Sequence, residues 1–228
     1  MALGETTNRI YLSVGFGRLR KKAEKGDVGA IERTSKDGTK LYAVEYKYVT
    51  GNLENVLFRD DEKYGKSWIL QMKDGDEHYG IQFSENSRYA SDLLKRIPNM
   101  HRNQQYTIMP YDFEADGKRK VGLSIKNMAG EKVESYYEKF TKTPEGGTWE
   151  YLYGFPAFPK GEKNKDRIKI YFMELMIFLR ERALKHIGEN FKKELEPEIQ
   201  HDNPDDLPWE HEKKEDDIPD LTDNDLSF

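Results

Sequence analysis

The stretch KLYAVEYKYV places Tyr42, Tyr46 and Tyr48 at even spacing, so in an extended strand the three rings share one face, with Lys40 at its head. Trp68 shares a face with Leu70 and Met72 in SWILQMK, and Arg59 lies in the preceding ENVLFRD. A basic segment, GRLRKKAEKG, adds Arg18, Arg20, Lys21 and Lys22. Rings interleaved with cations on sheet faces suit the chemistry of single-stranded nucleic acid. Unstacked bases lie on the rings, each stack contributing about 1–3 kcal/mol, and cations follow the phosphates. Packing competes for the same rings, because tyrosine has high strand propensity and fills cores with its hydroxyl at the rim. Packing is the better account of any single ring; a binding surface is the better account of the set.

Signals for catalysis are sparse. The histidines at 78, 101, 186, 201 and 211 are scattered, with no pair at metal-ligand spacing on a helix. Gly15 and Gly17 in VGFGRLRKK lack the rest of a phosphate-cradling pattern. Glu45 and Lys47 form an ExK pair that resembles half of a metal-dependent nuclease motif. Such a site needs an acidic partner, Asp27 or Asp37, to hold Mg²⁺. The competing account of Glu45 and Lys47 is a solvated sheet face. The expectation is a protein that is not an enzyme and holds no cofactor or metal.

The elements that must position these residues follow from periodicity. RIYLSVGF alternates as a half-buried strand, and GRLRKKAEKG reads as a basic loop. AIERTSKDGTKLYAVEYKYV reads as a hairpin about Asp37-Gly38, ENVLFRD and SWILQMK as a strand pair, and HYGIQFS as a strand after Asp74-Gly75. SENSRYASDLLKRIPN carries helix caps at Ser84, Asn86 and Ser87 and a stop at Pro98. QYTIMPYDF, KVGLSIK and EKVESYYEKF read as three further strands, and residues 141–165 as a Gly- and Pro-rich linker. A long helix is expected over 166–195, with Ile168, Phe172, Leu175, Leu179, Ile187 and Phe191 on one face. Ile170, Met173 and Ile177 make its first half apolar on most sides, so the body or a second subunit must cover it.

The predicted fold class is mainly β with two helices: an elaborated OB-fold, a five-stranded Greek-key barrel with extra hairpins, followed by a long C-terminal helix. The predicted organisation is a body over 1–165, a packing or oligomerisation helix over 166–195, and a disordered acidic tail over 196–228.

Composition and charge support that division. Of the 228 residues, 36% are hydrophobic and 35% charged, so part of the chain is expected to stay unpacked. There is no cysteine, which excludes disulfides and cysteine-ligated zinc. No basic-then-apolar leader is evident, and the most apolar run, IKIYFMELMIFL, is shorter than a membrane span, so the expectation is a cytoplasmic protein. Residues 196–228 hold 13 Asp and Glu against Lys213 and Lys214, a net −11, while residues 1–195 carry +6. Acidic runs commonly serve only as solvation. This one also spaces hydrophobes through itself, at Leu207, Trp209, Ile218, Leu221, Leu226 and Phe228. An aromatic ring beside steering carboxylates, Asp216, Asp217, Asp223 and Asp225, suits a basic-rimmed apolar pocket on another protein.

The tail resembles those of bacterial and tailed-phage single-stranded-DNA-binding proteins. Bacterial members end in Asp-Asp-Ile-Pro-Phe; here Asp216-Asp217-Ile218-Pro219 is followed by DLTDNDLS and then Phe228. Phage members vary the acidic stretch and keep the last aromatic. The resemblance is specific over about the last 15 residues, and in the body it is one of architecture. It implies a phage or bacterial coat for single strands in DNA replication, recombination or repair. It also implies a tail that recruits polymerase, helicase or primase and covers the protein's own groove when DNA is absent. A homo-oligomer is expected through the long helix. Two alternatives stand beside this reading: a protein–protein adaptor whose aromatics are all core, and the Mg²⁺-dependent nuclease.

Overall fold

The computed structural model describes residues 8–34, 38–62, 65–143, 146–159 and 161–191. Eleven strands and two α-helices are found among them: β1 Arg9–Gly15, β2 Arg18–Ala23, β3 Ala30–Thr34, β4 Lys40–Tyr46, β5 Val49–Asp61, β6 Gly65–Asp74 and β7 Glu77–Ser84, then α1 Arg88–Leu94, β8 Gln105–Ala115, β9 Lys118–Asn127, β10 Glu138–Thr143, β11 Gly146–Tyr151 and α2 Lys165–Asn190. The first nine strands make one sheet in the order β3-β4-β2-β1-β7-β6-β5-β8-β9, and β10 and β11 make a separate hairpin. Within the large sheet only the β1–β7 ladder is parallel.

The sheet curls into a half-barrel. Its curl brings the β1–β2 turn onto β8, where a Cβ added to Gly17 would lie 2.6 Å from the Asp112 amide nitrogen. β5 makes the bend. Val49–Asn52 pair with β8, Asn52–Asp61 pair with β6, and the register shifts between Leu53 and Asn55. Such a bulge bends a strand and increases its twist. Gly51 sits at the closest approach, where a Cβ would meet the Lys73 carbonyl oxygen at 2.9 Å.

The concave face holds the core. Leu12, Leu19, Leu53, Val56, Trp68, Leu70, Met72, Ile81 and Phe83 alternate inward along their strands and are buried. α1 closes one end with Tyr89, Ala90, Leu93 and Leu94, and Ser87 caps it by accepting from the Ala90 amide at 3.1 Å. Pro98 ends the helical run in a short 3-10 turn, Ile97–Asn99.

Three readings of the sequence need correction. The basic segment is not a loop: Arg18–Ala23 is a strand between β1 and β4. Leu19, fully buried, supplies its one strong core contact, and its cations divide between the two faces. EKVESYYEKF is mostly irregular up to Tyr137, and its strand begins at Glu138. The Gly-rich linker contains the strand β11, paired with β10.

Many late aromatics are structural. Tyr137 and Phe155 stack at 5.8 Å, and Phe155 meets Phe178 of α2 edge-on at 5.9 Å. Tyr171 donates to the Pro156 carbonyl at 3.1 Å. These contacts seat α2 through its buried face of Ile168, Leu175, Leu179 and Ala183, while Arg180 pairs with Glu85 at 3.0 Å. Ile170, Met173, Ile177 and Leu184 are exposed on its outer side. Among the described residues no helix is long and apolar enough to cross a membrane.

Candidate nucleic-acid interface

β2 sits between β1 and β4, and alternation along it sends its side chains to opposite faces of the sheet. Lys21 lies across from Val44, so it shares a face with Lys40, Tyr42 and Tyr46 of β4. Arg20 lies across from Glu45, so Arg18, Arg20 and Lys22 occupy the other face. The cations singled out from the basic segment therefore do not line one groove.

The first face opens into a cleft of about 390 Å³ lined by Ile10, Lys21, Tyr46, Tyr48, Thr50, Asp74 and Tyr79, among others. Leu12 and Val49 of the core also line it. Tyr46 and Tyr48 are 43% and 59% exposed, so their rings remain available to a flat partner. Tyr79 enters from β7, and its hydroxyl donates to Glu77, which also lines the cleft. That hydrogen bond, with some burial, pushes the Tyr79 hydroxyl up to about 12. The cleft thus offers neutral tyrosine rings, one ammonium group and two carboxylates.

Lys40 and Tyr42 stand on the same face but are engaged in the β3–β4 hairpin. Both contact Glu32, Lys40 at 2.8 Å and the Tyr42 hydroxyl at 2.8 Å. The hydrogen bonds from Lys40 and Tyr42 lower the Glu32 pKa, and its bonds to them raise theirs.

On the opposite face Arg20 is buried, and its Nε donates to Glu45 at 3.0 Å. Arg33 reaches the same carboxylate at 3.7 Å. Phe16, in the β1–β2 turn, has the Arg20 and Arg33 guanidiniums 4.9 and 5.1 Å from its ring centroid. Glu45 is therefore engaged by two guanidiniums. Lys47 lies exposed beyond the end of β4, and Asp27 accepts from the Glu24 amide in the β2–β3 turn. Asp37 lies outside the described residues. Among the described residues no three His, Asp or Glu converge as a metal site would require.

The remaining site residues are dispersed. Trp68 is fully buried against Phe58, with ring centroids 4.8 Å apart, and offers no ring face to a ligand. Arg59 is half-buried across from Ser67 on the β5–β6 ladder. Asp216, Asp217, Asp223, Asp225 and Phe228 lie outside the described residues. Three residues that the sequence did not single out join the candidate surfaces: Tyr79 in the cleft, and Phe16 and Arg33 on the opposite face. Tyr79 carries the same alternation signal as Tyr46. The placement of Phe16 and Arg33 depends on pairing between strands and has no local signature.

No protein-family model matches the chain, and no match was found among curated proteins or among solved structures.

Proposed function

We propose that the chain binds single-stranded DNA and coats it during replication, recombination or repair. The observation that carries this reading is the cleft in which Tyr46, Tyr48, Tyr79 and Lys21 converge from three separate parts of the chain. Exposed rings beside a cation match what stacked bases and their phosphates require. Asp74 and Glu77 at the rim repel phosphates, so bases enter the cleft and the backbone passes on the Lys21 side.

The topology supports an OB-type body. β5, β6 and β7 form a meander, α1 follows, and β8–β9 return as a hairpin, with β5 pairing both β6 and β8. This five-stranded order, with its helix between the third and fourth strands, supports the proposed OB-type reading, in which the second and third strands would carry the binding face. Here those strands are β6 and β7, the source of Asp74, Glu77 and Tyr79. The chain departs from the simple barrel in that β1 lies alongside β7.

The acidic segment 196–228 is proposed to recruit replication partners such as polymerase, helicase or primase through Asp216, Asp217, Asp223, Asp225 and Phe228. The exposed stripe on α2 is proposed to join copies of the chain.

Fluorescence anisotropy of a labelled oligothymidine tests the cleft. Replacing both Tyr46 and Tyr48 with alanine is expected to weaken binding by at least tenfold, since one stack alone contributes about 1–3 kcal/mol. Unchanged affinity in that double variant would remove the cleft from the interface.

A further inference from the structure

The turn joining β1 to β2 carries a residue that folding alone does not explain. Phe16 and Gly17 have φ of 50° and 68°. Two successive positive φ values belong to the type I′ hairpin turn, which favours Asn-Gly, Asp-Gly or Gly-Gly. A phenylalanine in this conformation works against its own Cβ. Its ring recovers little by burial, being 67% exposed. Gly17 has an evident structural role. Its amide donates to the Tyr89 hydroxyl at 2.8 Å, and its Cα packs against Asp112. The tip is thereby held on α1 and β8, and Phe16 projects from a rigid mount.

The charge around the ring is positive. The Arg20 and Arg33 guanidiniums approach it, and Arg18, exposed, is anchored by a 3.0 Å bond from Nη1 to the Gly17 carbonyl. Among the described residues the carboxylate paired with this group is Glu45, which is shared by Arg20 and Arg33. Arg20 is 6% exposed, and its Nη2 is buried with no acceptor among the described residues. Burial, and next the charge of Arg33, push its pKa below the ordinary value. Residues held in sparsely populated backbone conformations cluster at functional sites, and the positive φ of Phe16 is such an outlier.

We propose that this turn is a second contact for the single strand: a base stacks on Phe16, and the adjoining phosphate is held by Arg18 and Arg33. This rests on the single-strand reading above and adds a subsite on the opposite face of the sheet from the cleft. Arg20 acts as a positioning residue, committed to Glu45 and supporting the ring from the protein side. The contact reads no base identity, because every base has a face to stack.

A purely structural role for the ring, as a clamp over the two guanidiniums, makes a different prediction, and Phe16→Asn separates the two. Asparagine suits the positive φ, so the variant is expected to keep or raise its urea midpoint. Its affinity for labelled oligothymidine is expected to fall by about tenfold, the loss of one stack, while Phe16→Trp retains affinity. Irradiating the unaltered protein with an iododeoxyuridine-substituted strand is expected to leave an adduct on Phe16. Unchanged affinity in Phe16→Asn, with no adduct at the turn, would overturn the subsite and leave the cleft standing. A lowered urea midpoint with unchanged affinity would make the ring structural. Failure of the unaltered protein to bind any single strand would overturn both.

Discussion

Tyr79 illustrates how a single side chain in the cleft is tuned. Its hydroxyl donates to Glu77, and that bond is the first cause of a pKa raised to about 12 from the model-peptide 10. Replacing Glu77 with glutamine is expected to return the Tyr79 titration toward 10, followed by the ring-carbon chemical shift in NMR. A titration still near 12 would contradict the assignment. A tyrosine with a raised folded-state pKa contributes stability that is fully present below pH 10 and is lost as the pH climbs from 10 to 12. Tyr46 and Tyr48 of the cleft were legible in the sequence because strand alternation is local. The Arg20–Glu45 pair was not, since its partners lie on separate strands and meet only through the β2–β4 register. Trp68 shows the limit from the other side. Alternation assigned its face correctly alongside Leu70 and Met72, yet could not say that this face turns into the core.

Elements impose constraints that no single residue reveals. β5 serves two neighbours, β8 through its first residues and β6 through the rest, and Gly51 is where the backbones crowd. A Cβ there would stand 2.9 Å from the Lys73 carbonyl oxygen, closer than real contacts allow. Gly51→Ala is therefore expected to lower stability by about 1–3 kcal/mol, in line with overpacked sites. Urea unfolding measures it, and a midpoint equal to that of the unaltered protein would show that the strands part at no cost. The hairpin turn at Asp74-Gly75 was readable, because asparagine- and aspartate-glycine pairs favour positive φ, and the same pair turns β8 into β9 at Asp116-Gly117. Gly75 and Gly117 adopt it, at 58° and 69°. β2 was misread because four cations in six positions look like a solvated loop. Its strand character comes from Leu19 in the core and from ladders on both sides. β11 was missed for a related reason: its residues are almost all exposed, so no burial alternation marks it.

At the scale of the whole molecule, α2 presents two apolar faces. One seats it on the body; the other, Ile170, Met173, Ile177 and Leu184, is spaced three, four and seven residues apart and is exposed. That spacing is the seam of a helix pair. The chain is expected to sediment as a dimer, and Ile177→Asp as a monomer with its thermal unfolding little changed. A monomeric unaltered protein at micromolar concentration would contradict the helix-pair proposal. The acidic segment carries −11 over residues 196–228 against +6 over the rest, a split that belongs to the proposed binding reading. In the proposed reading its attraction to the body would be screened by salt, and a strand of phosphates would compete with it. Single-strand binding through exposed rings and cations is the proposal on which the other roles depend. Titrating the full chain into labelled oligothymidine and into labelled duplex, across a series of salt concentrations, tests it most directly. Binding to the single strand is expected at micromolar or tighter affinity and to weaken as salt rises, with markedly weaker binding to the duplex. Absence of binding to any single strand at low salt would contradict it.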